Sequence, residues 1–336
     1  MTWSVLYRDE GQEAELDPVV KSVKWSGDLK QASRKMIVEL SNSGDLRETY
    51  FKLRKGGELR LMDDGGRELF RGVIFADSID SRGQMSLTAY DENIYLTKSK
   101  DTKIFRNQTA AAIVKKLCSE FGIPAGDIHD TGFVIPKLVL RDKTLYEMMI
   151  IALTESWKQT GEAFVLTSRE GKLQLLARKE QKVKWVLENG VNVLSASYSQ
   201  SIEELRTQIK VVGGDNAKKE LTANAKSSEL IKLYGVMQHL EKPAASMSNS
   251  QMQERAQQLL KELGTIEDEA RIECLGITEV ISGASVHVME SMTGIIGGYY
   301  VSADEHRFEK GGHTMSLTLS ASDDIPKMEY KEPRGG

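Results

Sequence analysis

The chain has 336 residues, 40% of them hydrophobic and 28% charged, too many for one ordinary core and too mixed in character for a disordered or membrane-buried chain. A formal net charge of −4 leaves no chain-wide basic field to hold phosphate backbones, so specific nucleic-acid binding is not expected. The longest apolar run, Met148 to Leu153, is far short of a bilayer span, so membrane insertion is not expected either.

The opening segment, Met1 to Glu10, lacks the basic start and apolar stretch of a signal peptide, and synthesis in the cytoplasm is expected. Residues 1–100 read as β throughout. Lys35 to Leu40, Leu59/Leu61, Val73/Phe75 and Met85/Leu87/Ala89 keep the period of two expected of half-buried strands. Turns fall at Asp63-Asp64-Gly65-Gly66 and Ser81-Arg82-Gly83, and the segment is expected to form a small closed or nearly closed antiparallel barrel.

From Thr109 the period changes. Ile113, Val114, Leu117, Cys118 and Phe121 fall at helical spacing before Gly122. A second helix opens on the capping box Thr144/Glu147, carries Leu145, Met148, Met149, Ala152, Leu153 and Trp157, and ends before Gly161. A hairpin follows, with Ala163 to Thr167 turning at Glu170-Gly171 into Leu173 to Ala177, so 101–180 is expected to be an α/β insert of two helices and a hairpin.

β character resumes at Val191 to Tyr198 and Thr207 to Val212, then gives way to a polar stretch, Gly213 to Ser228, read as an exposed loop. A third helix is expected from about Ser250 to Leu263, with Ser250 and Gln253 as its capping box. The second barrel, 181–322 with an insertion at about 213–264, completes itself between Ile272 and Ser320. The tail, 323–336, is charged, contains Pro326 and Pro333, and is expected to be flexible unless held by a partner. The fold class is therefore α+β, mainly β, with two related barrels around an insert.

The two β-modules share an order of strands. Glu58 to Met62, Gly72 to Asp77 and Met85-Ser86-Leu87-Thr88 are answered by Ser285 to Met289, Gly298 to Asp304 and Met315-Ser316-Leu317-Thr318. Gly72 and Gly298 begin the matching middle strands, and Met85, Leu87, Met315 and Leu317 mark the matching third strands. A trimer of a chain with two like modules presents six near-equivalent faces to a sixfold partner, which points to an adapter rather than an enzyme.

Catalytic chemistry finds little support. Acidic clusters at Asp63-Asp64, Glu203-Glu204, Glu267-Asp268-Glu269 and Asp323-Asp324 sit in turn-like or solvated stretches, and nothing in their spacing brings a pair into one pocket. His306 and His313 flank a hairpin where they can face each other, and a metal shared with Cys274 is conceivable, but no recognised ligand spacing is present and no metal or cofactor is expected. Gly294 to Gly298 and Gly213-Gly214-Asp215 lack the lysine of a P-loop and read as turns. Cys118 and Cys274 read as free, buried thiols, and of Tyr299 and Tyr300 one ring is expected in the core and one outside.

In order along the chain, Gly57 to Leu61, Leu69 to Ile74, Leu87 to Asp91 with Tyr95-Leu96, and later Gly294 to Val301, His306 and Gly312 to Leu317, resemble the baseplate hub proteins of contractile phage tails, most of all those of PBSX-like prophages. The resemblance covers nearly the whole chain. It implies a homotrimer between the tail tube protein and the spike or tail-tip protein, with baseplate wedge, LysM-like tail and tape-measure proteins as further partners. It implies no catalytic residues. The alternative is a tail-associated peptidoglycan hydrolase or carbohydrate-binding protein.

Overall fold

The computed structural model describes residues 3–43, 49, 51–178, 185–213, 221–242, 247–322 and 325–330. The chain forms two compact units, one made of 1–197 with 271–336 and the other of 198–270. As expected of its sequence it is mainly β with a minority of helix.

The first unit starts with β1 (Ser4–Asp9), β2 (Gln12–Glu15), β3 (Val20–Asp28), β4 (Lys35–Ser41), β5 (Glu58–Met62), β6 (Glu68–Ile79) and β7 (Gln84–Tyr90). Alternation sends Val5, Val23, Trp25, Met36, Val38, Leu59, Leu61 and Leu87 to one side, where they share a core with Phe308 from the far end of the chain. The insert follows as α1 (Ile94–Lys98), β8 (Lys100–Thr109), α2 (Ala110–Glu120), β9 (Ala125–Ile128), β10 (Val134–Thr144), α3 (Leu145–Thr160), β11 (Phe164–Arg169) and β12 (Lys172–Ala177). α3 opens on the predicted Thr144/Glu147 capping box and stops at Gly161, which is left-handed at φ 70°. The β11–β12 hairpin turns where expected, with Glu170 and Gly171 both at positive φ. Sequence reading missed β8 and β10, which pair antiparallel over most of their length. Their one-sided burial is set by α3 packing on them rather than by a clean alternation.

After β13 (Trp185–Glu188), β14 (Val193–Ser201) leads into the second unit. There β15 (Gln208–Gly213), β16 (Leu221–Lys226), α4 (Ser228–Tyr234), β17 (Gln238–Glu241) and α5 (Asn249–Leu263) follow. The polar stretch read as a loop is thus corrected in part: Leu221–Lys226 is a strand paired with β15, while 214–220 lie outside the described residues. α4 was also missed. Its start and stop signals, Ser227 as N-cap and Gly235 after it, are present in the sequence, but it buries no residue and so leaves no apolar periodicity. α5 begins earlier than predicted because Ser248 and Gln251, not Ser250 and Gln253, form the reciprocal capping box.

β18 (Glu267–Leu275), β19 (Ser285–Glu290), β20 (Ile295–Glu309) and β21 (Gly312–Ser320) complete the first unit. The 13-stranded sheet has the path β14-β18-β21-β20-β3-β4-β7-β6-β5-β1-β2, with β19 beside β20 and β13 beside β19. β20 makes this possible by its length. Its start, Ile295 to Tyr300, pairs β19 and its end, Ala303 to Glu309, pairs β3, so both β-modules belong to one sheet. The tail was expected to be flexible, but its residues 325–330 lie on the insert, where Met328 and Tyr330 pack against the core. Asp323, Asp324 and 331–336, including Pro333, are outside the described residues.

Candidate assembly surfaces and the buried junction

Both modules contain an antiparallel meander, β5-β6-β7 and β19-β20-β21. Their pairings agree residue for residue, apart from a bulge between Leu61 and Met62 that β19 and β20 do not share. Leu59 opposite Gly72 and Leu61 opposite Phe70 correspond to Val286 opposite Tyr299 and Val288 opposite Gly297. Asp77 opposite Leu87 and Ile79 opposite Met85 correspond to Asp304 opposite Leu317 and His306 opposite Met315. Each long strand also breaks register at the same step, between Ile74 and Ala76 in one and Val301 and Ala303 in the other. A bulge at one fixed place bends and twists both meanders alike. Met85, Leu87, Met315 and Leu317 are all buried at 5% exposure or less.

The glycines are a different matter. Pairing puts Gly72 in the place of Tyr299, so Gly298 is one residue out of step and its position faces the other side of the sheet. A Cβ on Gly72 would stand 2.5 Å from the Tyr90 carbonyl oxygen and 2.5 Å from Phe70 Cζ, whereas one on Gly298 meets nothing within 4 Å. Only Gly72 marks a close backbone approach.

Where β3 meets β20, polar groups are buried together. Arg34, 8% exposed, donates two hydrogen bonds to Asp304, at 2.9 and 2.5 Å, and its backbone N–H donates to Asp91 at 2.9 Å. Its guanidinium lies 4.4 Å over the Trp25 ring, and the Ser282 N–H donates to Asp304 at 2.6 Å. Burial opposes ionisation of Asp304, but the adjoining Arg34 charge and hydrogen bonds outweigh it and hold the carboxyl below its ordinary range. Asp91 has no such ion pair. Burial, with Glu92 beside it, raises it well above that range.

His306 Nε2 lies 3.0 Å from the Val280 carbonyl oxygen, which can only accept, so that nitrogen carries the proton. His306 Nδ1 then accepts from His313 Nε2 at 3.0 Å. The two histidines do face each other, as their hairpin spacing suggested, but as a hydrogen-bonded pair whose facing nitrogens are used. Burial pushes both rings down to about 4, and His313 stacks on Phe308 at 4.1 Å between centroids. Among the described residues no group of three His, Cys, Asp or Glu is placed to hold a metal ion. Cys118 and Cys274 are free and buried, and burial raises both thiols, to about 11 and about 12.

The acidic clusters are dispersed. Asp63 holds its own turn, accepting from the Gly65 and Arg67 N–H groups and pairing with the Arg67 side chain. Glu267 and Asp268 are exposed at the start of β18. Tyr299 and Tyr300 are both half-buried, contrary to the expected one in and one out, because β20 changes partner there and Tyr300 is covered by the Arg178 guanidinium at 4.6 Å.

The outer side of β13-β19-β20 carries one apolar cross-strand pair, Met289 with Ile296, next to a row in which Val186 stands opposite His287. Met289 and Ile296 are opposite each other and 47% and 61% exposed, Val186 is 48% exposed, and Met292 in the β19–β20 turn is 90% exposed. Sequence alternation identified the strands but not this side as the open one.

This arrangement of meanders around a helical insert is that of prophage tail proteins. The crystal structure of the 43 kDa tail protein of prophage MuSo2 from Shewanella oneidensis is similar with a TM-score of 0.68 at 16% identity, covering 96% of this chain and 100% of that one. The chain belongs to the YQBQ-like family, whose profile matches residues 23–320. It is 34% identical over 313 residues to the uncharacterized protein YqbQ of Bacillus subtilis strain 168, covering 93% of this chain and 95% of that protein. Phage-like element PBSX protein XkdQ of the same organism is 35% identical over 315 residues, with the same coverage of both.

Proposed function

We propose that the chain is the structural baseplate hub of a contractile phage tail or tail-like particle. Three copies form a ring in which six similar meanders meet the sixfold tail tube protein, and the threefold spike or tail-tip protein is held on the other side. The observation that carries this reading is the matched register and bulge of the two meanders, since like strand geometry gives like faces and threefold repetition of two gives six. Likeness to a tail protein along the full chain and relationship to a PBSX element protein support it. The exposed side chains of Val186, Met289 and Ile296 are the surface we assign to contact with a neighbouring chain. Wedge, LysM-like and tape-measure proteins are the further partners of such a hub. The role is one of assembly and needs no catalytic group or cofactor.

Averaged images of the assembled particle, with light scattering of the purified protein, test this reading. Three copies at the tail tip are expected, and one or two copies there would refute it. A cell-wall turbidity assay with the purified protein should show no lysis.

A further inference from the structure

Residues 325–330 have no regular secondary structure, yet four consecutive residues are each met by the insert. The Lys327 ammonium lies 3.6 Å over the Trp157 ring. The Met328 N–H donates to Thr154 Oγ1 at 3.0 Å, and the Glu329 carboxylate takes the Lys158 ammonium at 2.6 Å. The Tyr330 hydroxyl accepts from the Val139 N–H at 3.1 Å. Lys327 and Glu329 thus meet Trp157 and Lys158, while Met328 and Tyr330 turn to the core, the alternation of a bound extended peptide. The receiving groups are also held by contacts within the insert, Lys158 by Glu155 at 2.9 Å. Thr154 is 2% exposed and its hydroxyl donates to the Ile150 carbonyl at 2.7 Å, which leaves the oxygen to accept from a peptide amide. Val139 lies on β10, which pairs with β8 alone among the described strands, so its amide belongs to an open edge.

We propose that Val139, Thr154, Trp157 and Lys158 form a docking site for an extended Lys-Met-Glu-Tyr segment, filled in the single chain by its own residues 327–330 and able to take the same segment of a second copy. The second copy is the occupant because the seated segment shows what the site accepts, and exchange between identical chains repeats every contact without new chemistry. A tethered segment acts at an effective concentration on the order of millimolar, so the resident tail excludes a free peptide unless it is loosened. This inference stands apart from the hub reading.

The test uses a fluorescent peptide of residues 325–336 and the full chain. With Met328→Asp and Tyr330→Ala together the chain's own tail is loosened while the site is untouched, and the peptide should bind at least about tenfold more tightly than to the wild type. Adding Lys158→Glu to that chain should weaken the peptide and favour a Glu329→Lys peptide over it, a charge-swap rescue that general loss of structure cannot produce. Equal binding to wild type and loosened chain, no binding to the loosened chain, or Lys158→Glu without a reversed preference would each overturn the proposal.

Discussion

Adding one methyl group at Gly72 and at Gly298 should have opposite outcomes, although both glycines lie within the first half of the middle strand of a meander. At Gly72 the new Cβ falls 2.5 Å from the Tyr90 carbonyl oxygen, about 1 Å inside an ordinary contact of roughly 3.5 Å. Tyr90 is backbone of β7, which is paired on its other edge to β4 through Lys35, so it cannot withdraw without disturbing two ladders. The second clash, 2.5 Å to Phe70 Cζ, is with a ring at 5% exposure in the packed core. Forced repacking of this kind costs about 1–3 kcal/mol, and Gly72→Ala should melt at a lower temperature accordingly. Gly298→Ala meets nothing within 4 Å and has no left-handed φ to lose, so the alanine only restricts the unfolded chain, by about 0.4–1 kcal/mol in favour of the fold. Thermal and urea unfolding of the two variants beside the wild type measure the difference. If Gly72→Ala unfolded like the wild type, or Gly298→Ala were equally damaged, the register assigned to the two meanders would be wrong.

The remaining predictions concern the junction and the outer face. Asp304→Asn leaves the Arg34 charge buried without its counter-ion and should cost about 3–5 kcal/mol, with Arg34→Met combined with Asp304→Leu recovering much of the loss; equal stability of Asp304→Asn and wild type in urea would refute this. His306 and His313 lie below their unfolded value of 6.5, so between about pH 6.5 and 4 the unfolded chain binds more protons than the fold. Their contribution is therefore complete above pH 6.5 and is lost as the pH falls towards 4, and His313→Gln should flatten part of that slope in urea midpoints measured from pH 7 to 4.5. Asp91 and Glu92, both raised chiefly by burial, act in the opposite sense, their contribution declining as the pH rises above the ordinary carboxylate values. Met292→Asp with Ile296→Asp should leave the melting temperature within about 0.5 kcal/mol equivalent, since both are exposed, but abolish incorporation into tails in a complementation assay.

What the sequence determined alone is what depends on neighbours along the chain. The Thr144/Glu147 cap, the Gly161 stop and the Glu170-Gly171 turn are closed by hydrogen bonds or dihedral choices within a few residues, so side-chain type reveals them. The order of strands in the two meanders was legible for the same reason, because period two and turn residues are local. Tertiary structure decided the rest. That β3 pairs β20, joining residues such as Trp25 and His306, follows from long-range edge matching and a buried Arg34–Asp304 bond that no local pattern encodes. The one-residue offset of Gly298 from Gly72 appears only when pairing partners are known, because a single step in a strand exchanges its two faces. The seating of Lys327 to Tyr330 on the insert was likewise illegible: a charged, proline-containing tail looks solvated until a ring, a lysine, a hydroxyl and an open strand edge from another part of the chain are brought beside it.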